Sequence, residues 1–298
     1  MGSLFYAQDT SFFHALGSYD FDARCEMLKE LGYEGTYLCL WSQDAWADLP
    51  KMETVKEKYG LEAIGVYAGI DVNGPEDSDG NAAVLNLIRT YEGGKRIELA
   101  LLASGVENSD RSADGAAVEW LEKLVAIAAE RDLLISLYPH YGAWLERIDH
   151  AADLCKTIDH PSLRMVFSGY HWLATDGKNL HDTLAHAGPY LSSVNICGAT
   201  RVDPIQGPGP NGAVDRFGLP AALHPLDEGE LDNFAILGAL RDVGFTGPIG
   251  LLGYSIAGDV YAKLKRSIAA FRDMEERLDA HPEWARMRND PLPMPTGG

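Results

Sequence analysis

The chain has 298 residues, of which 46% are apolar, and a formal net charge of −19 at neutral pH. This charge argues against a nucleic-acid partner, because binding to a phosphate backbone needs clustered lysine and arginine side chains. No apolar stretch in the sequence approaches the ~20 residues that a membrane-spanning helix needs, so we expect no membrane partner.

Eight short apolar runs predict β-strands. Most are unbroken runs rather than alternations of apolar and polar residues, which is typical of strands buried on both faces of a parallel sheet. The predicted strands are Leu4–Gln8, Gly35–Leu40, Glu62–Ala68, Ile97–Leu102, Leu133–Tyr138, Arg164–Phe167, Leu191–Ile196 and Pro248–Leu252.

Apolar residues three and four positions apart predict helices between these strands. Asp20 and Asp259 precede two of the patterns and are suitable N-cap residues. The predicted apolar faces are Phe21, Cys25, Leu28 and Leu31; Val118, Leu121, Leu124, Val125 and Ala128; Trp144, Leu145, Ile148 and Ala152; and Val260, Leu264, Ile268 and Phe271.

Eight successive strand–helix units predict a single (β/α)8 barrel, the TIM-barrel fold, over residues 1–278. A doubly wound open sheet is the alternative, but it would need a glycine-rich phosphate-binding turn after the first strand, and none is there. Two segments depart from the repeat. Cys197–Leu226, after the seventh strand, reads as a long Gly- and Pro-rich loop of the kind that is often functional, and 279–298 reads as an irregular tail.

The four cysteines show no metal-binding spacing, and their apolar surroundings predict free buried thiols. The chain shows no signal peptide, so we expect a cytoplasmic protein. The alternative is an exported protein whose leader has been removed. We also expect a homodimer or homotetramer, without a residue that specifies it.

Barrel enzymes act at the C-terminal ends of their strands. The residues at those ends are aromatic and hydrogen-bonding, which suits a sugar or polyol, because sugar rings stack on aromatic rings and hydroxyls bind amides and hydroxyls. They are Gln8, Asp9, Trp41, Gln43, Tyr67, Asp71, Tyr138, His140, Ser168, His171, Asn195, Arg201, Leu252 and Tyr254. No lysine stands at a strand end, which disfavours a Schiff-base aldolase.

Two short segments suggest a family. Tyr138-Pro139-His140 ends the fifth strand and Ser168-Gly169-Tyr170-His171 ends the sixth. With the stretches around them, they resemble the xylose-isomerase-like TIM barrels, which include sugar isomerases, sugar epimerases and the AP endonuclease family 2 (endonuclease IV type) repair enzymes. The resemblance covers the chain from Phe5 to about Met274. It implies the barrel fold, but no single reaction, because the superfamily hosts many.

The family binds a divalent metal through a glutamate, an aspartate, a histidine and a glutamate on strands five to eight. These places fall on Tyr138, Ser168, Asn195 and Leu252 in this sequence. Because a divalent ion needs several oxygen or imidazole ligands, the resemblance implies no metal at the usual place and no other cofactor. A relocated metal site in the long loop is the alternative, with candidate ligands Asp203, Asp215, His224 and Glu228.

The substrate-side residues of the family have counterparts here. We expect His140 and His171 to act as base and acid, because imidazole titrates near neutrality. Tyr138 and Asn195 would hold the oxygen that gains charge, and Arg201 would hold a distal hydroxyl, carboxylate or phosphate. The other expected substrate contacts are Ser168, Trp41, Gln43, Tyr67 and Tyr254.

The expected function is therefore that of a sugar isomerase/epimerase-like enzyme. It would act on a small sugar or keto-sugar derivative by metal-independent proton transfer next to a carbonyl, leading to isomerisation, epimerisation or elimination and hydration. The alternative is an inactive barrel that binds carbohydrate or a protein partner. Facing histidines at an open mouth would favour the enzyme, and a mouth filled by Tyr138, Trp172 and loop residues would favour the binder.

Overall fold

A computed structural model describes residues 3–175, 177–201, 221–254 and 256–287. Its strands are β1 (Phe5–Gln8), β2 (Gly35–Cys39), β3 (Glu62–Asp71), β4 (Arg96–Leu102), β5 (Leu134–Leu137), β6 (Leu163–Ser168), β7 (Leu191–Ile196), β8 (Gly198–Arg201), β9 (Ala221–His224) and β10 (Ile249–Leu251). Strands β1 to β7 and β10 form a closed parallel barrel, which β10 completes by pairing with both β7 and β1. The predicted TIM barrel is confirmed.

Helices surround the barrel strands, with short 3₁₀ turns at Asp9–Phe12, Leu49–Thr54, Arg111–Ala113, Gly188–Tyr190 and Pro282–Arg286. The helices are α1 (Phe21–Leu31), α2 (Gln43–Asp48), α3 (Val55–Tyr59), α4 (Asp79–Thr90), α5 (Asp114–Ala129), α6 (Ile148–Ile158), α7 (Gly169–Thr175), α8 (Leu180–Ala187), α9 (Asn233–Asp242) and α10 (Val260–Ala280). Within the described part of the chain, none is both long and apolar enough to span a membrane.

The two predicted N-caps are confirmed. The side chain of Asp20 accepts a hydrogen bond from the backbone N–H of Ala23 at 2.8 Å, and Asp259 accepts one from Ala262 at 2.7 Å. Each carboxylate thereby binds a helix N–H that has no partner within its own helix. The four cysteines are free and buried, as predicted.

The helix predicted from Trp144 onward starts later than expected. Trp144 and Leu145 precede α6, which begins at Ile148. The backbone N–H of Leu145 bonds to the carbonyl of Leu101 at 3.1 Å, and the indole N–H of Trp144 bonds to the carbonyl of Asp110 at 2.7 Å. These bonds to the neighbouring β4–α5 segment replace the helical ones, so the two buried side chains fill the core from a loop.

Residues near the two ends of the predicted loop after β7 form two short strands that pair with each other. Strands β8 and β9 are antiparallel, with Gly198 opposite His224. Gly198 has no room for a side chain, because a Cβ there would overlap the carbonyl oxygens of Pro225 and Glu228. Hydrophobic periodicity missed this short hairpin, and the predicted loop residues Asp203 and Asp215 lie outside the described residues.

The core has two parts. The larger lies between the strands and the helices, and the smaller lies inside the barrel. The inner part is rich in tyrosine, and its members are Tyr6, Tyr37, Cys39, Ile64, Tyr67, Ala100, Tyr138 and Val166. Hydroxyl groups therefore reach the interior, where each needs a hydrogen-bond partner.

Asn81, the third residue of α4, ties down the loop between β3 and α4. Its amide donates to the carbonyls of Asp71, Gly74 and Pro75 at 2.9–3.2 Å and accepts from the N–H of Asp71 at 3.0 Å. The residue is 1% exposed. One side chain thus satisfies four backbone groups at the end of a barrel strand.

Replacing this side chain tests that role. We expect Asn81→Ala to lower the free energy of unfolding by about 2–3 kcal/mol, because buried groups without partners cost ~1–3 kcal/mol each. Asn86→Ala, at an exposed site of the same helix, should be neutral or slightly stabilising, since alanine is the better helix former. Urea unfolding of both variants measures the difference, and equal effects would contradict the role.

Candidate functional site

A cavity of about 230 Å³ opens at the C-terminal end of the barrel. Its described lining is mostly aromatic and carries no Asp, Glu, Lys or Arg side chain. The lining residues are Gln8, Thr10, Tyr37, Cys39, Trp41, Tyr67, Tyr138, His140, Tyr170, His171, Leu223, Leu252 and Tyr254. The cavity lies where a TIM barrel is expected to hold its active site.

Six predicted site residues line this cavity: Trp41, Tyr67, Tyr138, His140, His171 and Tyr254. Sequence reasoning did not select Thr10, Tyr37, Cys39 or Tyr170 as site residues. Tyr37 and Cys39 could have been found, because alternate residues of β2 face the barrel interior. Nothing in the sequence pointed to Leu223, which comes from the unpredicted hairpin.

The two histidines lie side by side. Their ring centroids are 4.0 Å apart with an interplanar angle of 39°. His140 is held on the turn after β5, and His171 lies in the first turn of α7, directly after β6. Trp172 is not part of the cavity lining and packs on Phe167 instead. The histidines are thus paired at the cavity, and the loop residues 202–220, which the filled-mouth alternative also needs, lie outside the described residues.

One residue between the histidines binds both rings. Nδ1 of His140 is 2.7 Å from the carbonyl oxygen of Tyr141, so this nitrogen carries the proton and donates it. The backbone N–H of Tyr141 donates to Nδ1 of His171 at 3.1 Å, so that nitrogen has a lone pair. In the neutral state His140 therefore has an unprotonated Nε2 and His171 a protonated Nε2. These tautomers follow from the hydrogen bonds.

Both rings are neutral near neutral pH. Burial lowers the pKa of His140 from its ordinary value, and the hydrogen bond to Tyr141 only partly opposes this effect. Burial lowers the pKa of His171 well below its ordinary value, and the neighbouring His140 lowers it further. A neutral pair with opposite tautomers offers one proton acceptor and one proton donor.

Tyr138 forms part of the cavity floor. Its ring contacts the ring of His171 edge-on, with centroids 5.5 Å apart. Its hydroxyl accepts a hydrogen bond of 3.4 Å from the amide of Asn195, whose own oxygen accepts one of 2.9 Å from the Tyr6 hydroxyl. Burial and the nearby Glu98 raise the pKa of Tyr138, and Ser168 and Asn195 oppose this. The hydroxyl therefore stays protonated.

Glu98, on β4, is a fully buried carboxyl inside the barrel that sequence reasoning missed. Its two oxygens accept hydrogen bonds from the Tyr37 hydroxyl at 2.6 Å and the Ser193 hydroxyl at 2.7 Å. Burial raises the pKa of Glu98, while Arg96 and the two hydroxyls lower it. Glu98 thus fixes Tyr37, which is a wall of the cavity.

Aromatic residues continue from the cavity to its rim. Trp41 is 47% exposed and lies edge-on to Tyr67 and Tyr254, with centroids 5.7 and 5.5 Å away. Phe13, which is 38% exposed, lies 5.7 Å from Trp41 on the outer side. An exposed aromatic cluster beside a cavity is typical of a ligand-binding surface.

Four predicted site residues do not line the cavity. Asn195 and Ser168 are fully buried beneath it, and Gln43 is exposed on α2. The guanidinium of Arg201 donates to the carbonyl of Leu173, with Nε and Nη2 each at 3.3 Å, at the C-terminal part of α7. A substrate contact by Arg201 or Gln43 stays a prediction.

The residues at the positions that the resemblance assigns to metal ligands do not fit a divalent ion. Leu252 has no donor atom, and the Asn195 amide is engaged by two tyrosines. Within the described ranges, no three His, Cys, Asp or Glu side chains cluster as metal ligands. Of the proposed loop ligands in those ranges, Glu228 pairs with Arg266 at 2.5 Å.

The sequence matches the family model "Xylose isomerase-like TIM barrel" over residues 25–272. The search of curated protein sequences gave no match. Similar solved structures include the IOLI protein with a binding zinc atom (TM-score 0.73, 15% identity, 93% of this chain and 99% of that one). L-ribulose 3-epimerase has a TM-score of 0.71 at 14% identity, covering 98% and 100%. The 3-keto-D-glucoside 4-epimerase YcjR from E. coli has a TM-score of 0.66 at 18%, covering 91% and 100%.

The tautomers can be measured directly. At pH 7 we expect His140 to carry its proton on Nδ1 and His171 on Nε2, because the Tyr141 carbonyl and N–H select these forms. Long-range ¹H–¹⁵N correlation spectra distinguish the two forms, and the His140→Asn and His171→Asn variants assign the signals. Identical tautomers, or a ring protonated at pH 7, would contradict this geometry.

Proposed function

Because the chain belongs to the xylose isomerase-like TIM barrel family, we propose that it is an enzyme that moves a proton next to the carbonyl of a small sugar or keto-sugar derivative. We further propose that it needs no metal at the family's usual place. The supporting observation is the pair of neutral histidines with opposite tautomers at the cavity. General acid–base catalysis needs these two forms within reach of one substrate.

In the proposed step, the C–H bond next to the carbonyl breaks and Nε2 of His140 takes the proton. The bonding electron pair moves toward the carbonyl oxygen, which accepts hydrogen bonds from Nε2–H of His171 and from the Tyr138 hydroxyl. A neutral imidazole can stabilise a developing enolate in this way. Epimerisation needs the proton on the opposite face, so the enolate turns over in the cavity before protonated His140 returns the proton to carbon. Delivery of the proton to the former carbonyl carbon gives an isomer. In that case a second proton also moves from the neighbouring hydroxyl to the former carbonyl oxygen.

The cavity favours an uncharged substrate. No charged side chain lines it within the described residues, and the net charge of −19 repels anions. Aromatic walls suit the apolar faces of a sugar ring. A keto sugar is preferred over a plain aldose because hydrogen bonds alone must stabilise the enolate. The epimerases named among the similar structures, one of them a 3-keto-D-glucoside 4-epimerase, support this substrate class.

Proton exchange tests the proposal without knowledge of the final product. Methyl 3-keto-α-D-glucopyranoside and L-ribulose are incubated with the protein in D₂O, and NMR follows deuterium incorporation next to the carbonyl. We expect His140→Ala and His171→Ala each to lower the exchange rate by about 10²–10⁴-fold, the range for loss of a general acid or base. His186→Ala is the control, since this histidine is 43% exposed and outside the cavity.

A loss below about threefold in either cavity variant would reject its role as acid or base. Elemental analysis of the purified protein, with exchange measured with and without added manganese, tests the metal-independent part. Stoichiometric metal, or activity that depends on manganese, would overturn that part alone. No exchange with either sugar, together with saturable binding, would favour the inactive carbohydrate-binding barrel.

The pH dependence follows from the lowered pKa of His140. A base with a lowered pKa stays unprotonated to more acidic pH, so the acidic limb of the kcat/KM profile should have its midpoint below the ordinary histidine value of 6.5. The folded fraction is checked by circular dichroism at each pH. An acidic limb with its midpoint above 6.5 would contradict His140 as the base.

A further inference from the structure

Four residues form one row across neighbouring barrel strands beneath the cavity. In the strand register, Tyr6 of β1 stands opposite Gly250 of β10, Gly250 opposite Asn195 of β7, and Asn195 opposite Ser168 of β6. The row includes Asn195 and Ser168, two of the positions to which the resemblance assigns metal ligands. On that assignment, uncharged polar side chains stand where part of the metal site would lie.

Gly250 makes the Tyr6–Asn195 contact possible. The Tyr6 hydroxyl reaches across β10 to the Asn195 oxygen at 2.9 Å. A Cβ atom on Gly250 would overlap the Tyr6 ring and lie 2.5 Å from Asn195 Oδ1. No other reason for glycine is visible here, since Gly250 is not among the residues with positive φ. The missing side chain and the tyrosine hydroxyl are thus two parts of one arrangement.

The Tyr6 hydroxyl also sets the direction of the Asn195 amide. A phenol can donate to Oδ1 or accept from Nδ2, but only the first arrangement gives the buried Tyr6 proton an acceptor, because Asn195 is the hydrogen-bond partner of that hydroxyl among the described residues. Nδ2 therefore faces Tyr138. The Tyr138 oxygen then accepts a hydrogen bond, and its own proton is not used by the amide. The Ser168 hydroxyl lies close to the Tyr138 hydroxyl and lowers the pKa of Tyr138, as a donor to the phenol oxygen does, and it makes no hydrogen bond of ordinary geometry among the described residues that would take the Tyr138 proton.

We propose that Tyr6 is a positioning residue which, through Asn195, keeps the Tyr138 hydroxyl proton available to the substrate's carbonyl oxygen. This inference rests on the proposed proton transfer. It assigns the Tyr138 hydroxyl as a hydrogen-bond donor, at a position to which the resemblance assigns a metal ligand. Without Tyr6 the amide can turn by half a rotation and present its oxygen to Tyr138. The Tyr138 proton would then go to Asn195 and be lost to the substrate.

Tyr6→Phe tests this assignment because it removes one oxygen and keeps the ring. In the D₂O exchange assay with methyl 3-keto-α-D-glucopyranoside, we expect kcat to fall about tenfold or more with KM changed less than about twofold, because the donor acts on the oxygen that gains charge. Tyr33→Phe is the matched control, since its buried hydroxyl bonds to the Leu264 carbonyl at 2.9 Å, away from the cavity. It should lower stability without lowering kcat per folded molecule.

A direct readout keeps the test independent of turnover. The side-chain amide signals of ¹⁵N-labelled Asn195, assigned with Asn195→Asp, should shift in Tyr6→Phe and not in Tyr33→Phe. Equal kcat values for Tyr6→Phe and Tyr33→Phe, or an Asn195 amide unchanged by Tyr6→Phe, would overturn the positioning role. Failure of the proposed function would look different, since the wild-type protein would then show no exchange while the amide shift persisted.

Discussion

The site depends on one residue, Tyr141, whose backbone N–H and C=O bind the two neighbouring imidazoles. Two neutral histidines 4.0 Å apart could otherwise adopt either tautomer. Because a carbonyl accepts a hydrogen bond and an N–H donates one, the same residue selects opposite tautomers in the two rings. The turn that holds it is itself fixed, since the His140 N–H bonds to the Leu145 carbonyl and the Gly142 N–H bonds to Glu146.

Burial gives this arrangement its chemical value. It lowers the pKa values of both imidazoles and raises that of Tyr138, so these three groups are neutral near pH 7. Neutral dipoles in a site of low dielectric interact strongly with a charge that forms during reaction, and they do not repel an uncharged substrate beforehand. The aromatic walls maintain this environment. Glu98 lies below them and binds Tyr37, so a carboxyl stabilises a wall without lining the cavity.

Much of the fold could be predicted from the sequence, because each barrel strand is a short apolar run and four helical periodicities lie between the strands. The rule that active sites lie at strand ends also predicted that His140 and His171 would line the cavity. What failed depends on contacts between distant segments. Trp144 leaves its expected helix to bond to Asp110, and Gly198 pairs with His224 in a hairpin inside the predicted loop. No local pattern encodes either contact.

Tyr6 and Gly250 show the same limit within the site. Each is an ordinary strand residue in isolation, and only the register places a glycine between the tyrosine hydroxyl and the Asn195 amide. Three positions on three strands must agree for this hydrogen bond to form. Replacing Asn195 by a side chain without an acceptor would leave the Tyr6 hydroxyl buried without its partner, at a free-energy cost of about 1–3 kcal/mol. The hydrogen-bonded floor is therefore coupled across strands, and one substitution at Asn195 changes the environment of both tyrosines.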